Sequence, residues 1–296
     1  MTQPIGFAGL GAMGWPMAAC LVKATHDVVV HDARFDRAAK FAREFDCRVA
    51  SSGRELAVAP IIITMPPNSD AVEAVLFGED GAAYTMTPGG IVIDMSSGVP
   101  SRTMHIAERL AALGIALVDA PVSGGVRRAE RADLTIMTGG REEVISRVAP
   151  VLRALGREPV HVGSIGAGHA MKALNNLSLA GGFLIALEAV LIGKKFGLDP
   201  DRMIDVLNAS SGMNYNTQTK FKPFLLSGTY AAGFSLDLLV KDVGIAADLA
   251  SELAADVPFT RECLARWKAA LIALGPGCDH TEIARVAAEL ASVAFP

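Results

Sequence analysis

The sequence predicts an α/β fold in which a doubly wound sheet over residues 1–164 is followed by an all-α C-terminal domain over 165–296. Three observations carry that prediction. Short β-branched runs alternate with amphipathic stretches through the first half, the pattern of βαβ units around a buried parallel sheet. From Gly166 onward the alternation stops, and only helical segments rich in Ala and Leu remain. Between the first apolar run and the first helix stands a glycine-rich turn, Gly9 to Gly14.

Strands are expected at Ile5–Ala8, Val28–His31, Ile61–Met65, Ile91–Met95, Ala116–Asp119, Leu134–Thr138 and Val160–Val162. They read as continuous apolar runs because both faces of such a sheet are covered. Among them, helices are expected at Pro16–Val22, Arg34–Phe45 and Ser101–Leu113, the last with Ser101 as its N-cap after Pro100. Beyond the sheet the expected helices are Ala167–Phe196, Pro200–Ser210, Leu236–Leu253, Pro258–Leu274 and Thr281–Ala294.

The helix over 167–196 would be about 45 Å long at the standard rise, and it either joins the two domains or forms the core of the second. It has no dominant charged face. That implies burial on several sides, in part by a second subunit, so a homodimer or homotetramer is expected. Gly181 and Gly182 at its middle mark a place where another helix crosses closely.

Composition removes several function classes. With 51% hydrophobic and 20% charged residues the chain is too apolar to be disordered. Lys plus Arg number 27 and Asp plus Glu 31, for a formal charge of -4 without a long run of one sign. This lacks the electrostatic footprint of a protein that binds nucleic acid or an anionic membrane. Cys20, Cys47, Cys263 and Cys278 lie far apart, and the six histidines form no ligand-spaced cluster. Neither a disulfide scaffold nor a metal site is expected, and a cytoplasmic setting fits. The start, Met1-Thr2-Gln3-Pro4, carries no basic leader, and no signal peptide is expected. The most apolar stretch, Leu177–Leu187, is about half the roughly 20 residues of a membrane span. Small dissolved ligands remain, and 29 glycines with only 6% aromatics point to tight turns and close backbone approaches.

The sharpest motif is Gly9-Leu10-Gly11-Ala12-Met13-Gly14, which lies between the first strand and the first helix. In that context the first glycine permits the turn, the second lets backbone approach a pyrophosphate, and the third lets helix and strand pack closely. The helix N-terminus then offers its free N–H groups to the phosphates. This makes the first domain Rossmann-type. Asp32, at the end of the second strand, stands where a carboxylate accepts from the adenosine ribose 2′-OH and repels a 2′-phosphate, favouring NAD over NADP. Two other readings stay open: Asp32 as a cap of the following turn or helix, and Arg34 as a receiver of phosphate.

Two further clusters carry chemistry. Asp119-Ala120-Pro121-Val122-Ser123-Gly124-Gly125 follows a strand, so it belongs at the carboxyl edge of the sheet. There Ser123 and the amides of Gly124 and Gly125 can hold a carboxylate, although an ordinary strand-to-loop turn would read the same way. At the start of the long helix, Gly166-Ala167-Gly168 leads into Lys172 and Asn176, which are four apart and share a helix face. A partly desolvated lysine can exchange protons near neutrality. Lys241, followed by Asp242, is a second lysine among apolar neighbours. Taken alone, Lys172 reads as a snorkelling side chain and Lys241 with Asp242 as a structural ion pair.

In this order the motifs, together with Met65-Pro66-Pro67-Asn68 and Asp94-Met95-Ser96-Ser97, resemble the β-hydroxyacid dehydrogenase family, nearly end to end. The family includes 3-hydroxyisobutyrate dehydrogenase, tartronate semialdehyde reductase and, more distantly, 6-phosphogluconate dehydrogenase. The resemblance implies an NAD(P)-dependent oxidoreductase acting on a small carboxylate substrate, a β-hydroxy acid such as 3-hydroxyisobutyrate. It implies Lys172 as general acid/base, Asn176 aligning the substrate, and Ser123, Gly124 and Gly125 holding its carboxylate. Lys241 would sit by substrate and nicotinamide, and Met65, Pro66, Pro67, Asn68 and Ser97 would line the cofactor.

The chain departs from the family pattern at Arg127, Arg128 and Arg131, at Ala132-Asp133 in place of Gly-Thr, and at Thr25 in place of glycine after the first helix. The arginines read as a surface turn neutralised by Glu130 and Asp133 or as contacts to a more anionic substrate. Alternatives to a hydroxy acid dehydrogenase are a reductase of a small semialdehyde of tartronate, succinate or sulfonate type, and a catalytically inactive dinucleotide-binding scaffold. Lys172, Asn176 and Ser123 together count against the scaffold. An imine reductase shares the two-domain plan but usually carries a different acid at the lysine position.

Overall fold

The computed structural model describes residues 4–295, so Met1, Thr2 and Gln3 of the expected leaderless start lie outside the described residues. The chain divides into two compact units, Met1–Lys172 and Ala173–Pro296, with the division inside the long helix.

The first unit runs β1 (Ile5–Ala8), α1 (Gly14–Lys23), β2 (Val28–His31), α2 (Phe35–Phe45), β3 (Arg48–Val49), α3 (Gly53–Leu56), β4 (Ile61–Thr64) and α4 (Ser69–Phe77). It continues through β5 (Ile91–Asp94), α5 (Pro100–Ala111), β6 (Ala116–Asp119), β7 (Val122–Ser123), α6 (Gly125–Ala129), β8 (Thr135–Gly139), α7 (Glu142–Arg153) and β9 (Val160–Gly163). The strand order is β3-β2-β1-β4-β5-β6-β8-β7, with β9 on β8.

Period-two alternation sends neighbouring residues of each central strand to opposite cores. Phe7, Val28, Val30, Ile63, Ile91 and Ile93 pack with Met17 and Leu21 of α1, Phe41 of α2 and Leu152 of α7. Val29, Ile62, Val92 and Leu117 pack on the other face with Leu56, Val72, Leu76, Ile106 and Leu110. Each such burial contributes about 1.5–3 kcal/mol. These two cores explain why the strands read as unbroken apolar runs.

Three expectations change in the first unit. The run Leu134–Thr138 forms β8, but it pairs antiparallel with β6 and with β7. The short return through β7 and α6 is a hairpin-like reversal, whereas a parallel neighbour needs a full crossover. The strands β3 and β7 have two residues each, too few to show a period. Ser101 is not the N-cap of α5: Pro100 is already helical after Val99, a first-turn position where its missing N–H costs nothing.

The long helix, α8 (Ala167–Phe196), starts in the first unit and continues through the second, followed by α9 (Pro200–Asn208), α10 (Leu236–Glu252), α11 (Pro258–Leu274) and α12 (Ile283–Leu290). A ten-residue π-helical segment, Thr217–Leu226, contains Pro223 and was not legible as a helix. The core of this unit gathers Phe183, Leu187 and Val190 of α8 around Ile204, Phe221, Leu239, Val243 and Trp267. By length and apolar composition alone α8 would pass for a membrane span, with mean hydropathy 1.7 over its most apolar 18-residue window, 50% of which is buried inside the protein. At Gly181 the space is taken by the Phe259 ring of α11, where a Cβ would come within 2.9 Å. Gly182 offers its carbonyl to Asn214 Nδ2 at 3.1 Å. A ring and an amide occupy the expected helix crossing.

Candidate active site

Five parallel strands end level with one another. Ala8 is in register with His31 and Thr64, Thr64 with Asp94, and Asp94 with Asp119. The loops that begin at Gly9, Asp32, Met65, Met95 and Ala120 therefore leave along one carboxyl edge, where ligands of open α/β sheets bind. Register alone brings the glycine turn, Asp32, Met65–Asn68, Ser97 and Ser123–Gly125 to that edge.

The three glycines of the turn differ in what surrounds them. Gly9 has φ +100°, and a Cβ there would lie 2.8 Å from the Met65 carbonyl. A Cβ on Gly14 would overlap the Gly9 carbonyl oxygen, so this glycine seats α1 on the turn. At Gly11 a Cβ would meet nothing within 4 Å. The protein closes on the first and third glycines and leaves the second facing open space, with Ala12 exposed beside it. A nicotinamide dinucleotide fits this arrangement, because its pyrophosphate would lie against bare backbone at the start of α1.

Asp32 is buried, and both its oxygens are engaged. Oδ2 accepts from the Leu10 N–H at 2.7 Å and Oδ1 from the Arg34 N–H at 2.9 Å, while Arg37 approaches Oδ2 at 3.7 Å. The carboxylate thus braces the glycine turn and caps the entry to α2. Each oxygen keeps a second lone pair, so a ribose hydroxyl remains within its capacity.

Met65 and Pro66 are half-buried, and Pro67 and Asn68 are exposed. Asn68 Oδ1 accepts from the Ala71 N–H at 3.0 Å, capping α4. Ser97 is half-buried, and Asp94 below it accepts from Thr64 Oγ1 at 3.0 Å and from the Ser96 N–H at 3.1 Å.

Ser123 and Gly124 are half-buried and Gly125 is exposed, with φ +139° at Gly124 and +68° at Gly125. Such angles leave the amides of a loop free to point at an anion. Arg128 packs against Gly124, where a Cβ would meet its chain at 2.9 Å. Its Nε donates to the Asp133 carbonyl at 2.8 Å and to Asp133 Oδ2 at 3.1 Å. Arg128 is therefore a strut for the loop, whereas Arg127 and Arg131 are exposed. Asp133 does neutralise an arginine of this turn, and it also pairs with Arg157 at 2.7 Å.

Lys172 is half-buried on α8, six residues after Gly166, the turn that opens the helix. In the second unit, Asn176 is 3% exposed and donates through Nδ2 to Asp242 Oδ2 at 2.6 Å. Lys241 Nζ lies 3.1 Å from Asp242 Oδ1. The ion pair expected of Lys241 and Asp242 is present, and the same carboxylate also holds Asn176. That bridge, and the two N–H bonds that Asp119 accepts from Gly166 and His169, were not read from sequence. The close-packed glycines around Asp119 were the available signal.

Residues 4–164 match the family described as the NAD binding domain of 6-phosphogluconate dehydrogenase. Residues 166–287 match that described as NAD-binding of NADP-dependent 3-hydroxyisobutyrate dehydrogenase. The chain is 40% identical over 256 residues to 2-(hydroxymethyl)glutarate dehydrogenase of Eubacterium barkeri, covering 86% of this chain and 85% of the relative. It is 38% identical over 263 residues to 3-hydroxyisobutyrate dehydrogenase of Pseudomonas aeruginosa, covering 86% and 87%. Among solved structures, Mycobacterium tuberculosis 3-hydroxyisobutyrate dehydrogenase with L-serine superposes with TM-score 0.89 at 30% identity, over 97% of this chain and 99% of that one.

Proposed function

The chain belongs to the β-hydroxyacid dehydrogenase family and is an NAD(P)-dependent oxidoreductase of small hydroxy acids; from that premise we propose that it acts with NAD on a β-hydroxy acid of the 3-hydroxyisobutyrate type, Lys172 moving the hydroxyl proton. The observation that carries the reading is the pairing, in one unit, of an open Gly11 on a dinucleotide turn with Lys172 on α8. When bound, the cofactor supplies the hydride acceptor, which no side chain can. Lys172 takes the proton of the CH–OH group in oxidation and returns it in reduction. Ser123 Oγ and the Gly124 and Gly125 amides hold the carboxylate. The family resemblance gives Asn176 and Lys241 substrate roles, and within the second unit Asp242 holds both side chains.

The relatives' substrates share one fragment: in 3-hydroxyisobutyrate and 2-(hydroxymethyl)glutarate the carbinol carbon is bonded directly to the carbon that bears the carboxylate. A site that fixes the carboxylate at one end and the hydroxyl proton at the other recognises that fragment and leaves the substituent between them to set specificity. NAD is preferred in this reading because the Asp32 carboxylate would face a 2′-phosphate. The chain is a homodimer or homotetramer in the same proposal. Leu174, Ile185, Ile192 and Phe196 line an exposed apolar stripe of α8, and Leu177, Gly181 and Phe259 continue it as a shallow groove.

The test is a screen of 3-hydroxyisobutyrate, 2-(hydroxymethyl)glutarate, glycerate, L-threonate, 4-hydroxybutyrate and L-serine, each with NAD and NADP. Turnover of the β-hydroxy acids with NAD supports the reading. Tight dinucleotide binding without turnover on the whole panel would favour the inactive scaffold. Light scattering at micromolar concentration tests the assembly, and a monomeric mass would refute it.

A further inference from the structure

We propose that Asp119 is a positioning residue whose buried carboxylate sets where the first turn of α8, and with it Lys172, stands relative to the Ser123-Gly124-Gly125 loop. The proposal rests on the reading of Lys172 as the proton-transfer residue. Asp119 ends β6, and Ser123 follows it by four residues, so the loop starts from the same strand end. From that point its side chain reaches across to α8. Oδ1 accepts from the Gly166 N–H at 2.8 Å and Oδ2 from the His169 N–H at 2.9 Å. These are first-turn amides without a partner inside the helix, and a carboxylate is their strongest acceptor.

The surroundings are shaped for this contact. Asp119 is fully buried. A Cβ on Gly139, its antiparallel partner in β8, would run into Oδ1 and lie 2.8 Å from Oδ2. On Gly168 a Cβ would lie 2.7 Å from the Met137 carbonyl and 2.8 Å from Asp119 Oδ2. Both positions have no room for a methyl group because the carboxylate and the helix turn fill it. Gly166, at φ +88°, bends the chain into the turn.

A second anchor lies beside the first. His169 Nδ1 is 2.7 Å from Thr103 Oγ1 on α5, and His169 Nε2 is 3.9 Å from Asp94 Oδ2 at the end of β5. Gly98 gives the ring its space, since a Cβ there would come within 2.9 Å of it. Lys172 follows His169 by three residues, less than one turn of a rigid helix, or about 4.5 Å of rise. A displacement of the anchored turn therefore arrives at Lys172 almost undiminished. Asp119 is 0% exposed and both its oxygens face α8, so it serves the helix turn, and the substrate is left to Ser123 and the glycine amides.

The test compares Asp119→Asn and Gly168→Ala with the wild-type enzyme and with Lys172→Ala. The asparagine keeps the size of the side chain but turns an NH₂ toward one of the two amide donors. The alanine keeps the carboxylate but lifts the turn off β8. Misplacement of a reacting group by about 1 Å costs roughly 100-fold, so both variants are expected to lose kcat by about 30-fold or more. Three readouts separate positioning from general damage. NADH affinity by fluorescence stays within about twofold of wild type, KM for the hydroxy acid within about threefold, and faster amide exchange is confined to residues 166–172. Should one variant fail to fold, the other decides. A folded Asp119→Asn or Gly168→Ala enzyme with kcat within about threefold of wild type overturns the proposal, as does an equal loss of NADH affinity. If Lys172→Ala is dead while Asp119→Asn is fully active, only the positioning role falls. An active Lys172→Ala removes the reading of Lys172 and the positioning role with it.

Discussion

Asp242 Oδ2 accepts a 2.6 Å hydrogen bond from Asn176 Nδ2, and this contact fixes which way the Asn176 amide faces. With the nitrogen turned to Asp242, the oxygen lies on the other side, where it accepts from Asn175 Nδ2 at 3.1 Å. A flipped amide would set two oxygens against each other at the short contact. Asn176 is therefore held with a defined acceptor, and Lys241 is held by the other oxygen of the same carboxylate.

Replacing Asp242 by Asn lets the Asn176 amide flip and removes the carboxylate charge that lies 3.1 Å from Lys241 Nζ. A hydrogen bond to a charged group is worth about 1.5–3 kcal/mol, so kcat/KM for the hydroxy acid is expected to fall about 10- to 100-fold. Steady-state kinetics beside NAD titration checks this. Wild-type kcat/KM in the variant would mean that Asn176 needs no brace.

Lys172→Ala is expected to bind NAD normally and to lose kcat by about 10²- to 10⁴-fold, the usual contribution of a positioned acid or base. Added primary amines should restore part of the rate, since they can enter the space left by the side chain. Undiminished turnover would show that another group moves the proton.

Asp32→Ala removes the acceptor of the Leu10 N–H inside the glycine turn as well as the group facing the ribose. The expected outcome is weaker binding of both dinucleotides, NAD by about 10-fold or more, with no gain of NADP affinity over wild type. Calorimetry with each dinucleotide decides it. A simple switch to tight NADP binding would mean that the brace is dispensable.

Thr25 follows α1 at φ +64°, a left-handed conformation that a β-branched residue adopts only at a cost. Thr25→Gly is expected to stabilise the protein by about 1 kcal/mol, while Thr25→Ala, which keeps a Cβ, should gain much less. Urea unfolding followed by far-UV circular dichroism measures both. Equal stability of the glycine and alanine variants would contradict the backbone explanation.

Asp279 ties the second unit together, accepting from the Gly233 N–H at 2.7 Å and from Thr281 Oγ1 at 2.6 Å. Burial pushes its carboxyl up, but hydrogen bonds from His280 and Thr281 outweigh this and hold it well below the usual carboxylate range. A carboxyl depressed in the folded state stabilises the fold above its unfolded pKa of about 3.9 and loses that contribution as pH falls toward the folded value. Asp279→Asn should therefore be less stable than wild type near neutrality, by a margin that narrows below about pH 4. A margin independent of pH would assign the loss to packing alone.

Most of the sheet and the glycine turn were legible because their causes are local. A strand buried on both faces must be apolar throughout, and Gly9, Gly11 and Gly14 stand in the one order that closes, opens and packs a turn. The π-helical stretch was hidden by Pro223, which breaks helical periodicity. Strand β7 has two residues and takes its direction from β8. The network that places the site joins distant positions: Asp119 and Gly166 are 47 apart, and Asn176 and Asp242 are 66 apart. Sequence showed these residues as members of motifs, but only the fold shows which carboxylate serves which partner.

Around Asp119, room for a single methyl group separates a tolerated residue from a forbidden one at Gly139 and Gly168. A saturation mutagenesis scored on turnover would mark both as intolerant, although neither is placed against substrate or cofactor. Such a map would outline the seam between β8 and α8 as sharply as the chemistry itself. A designer wishing to change substrate preference would do best to leave that seam untouched and vary the pocket lining instead.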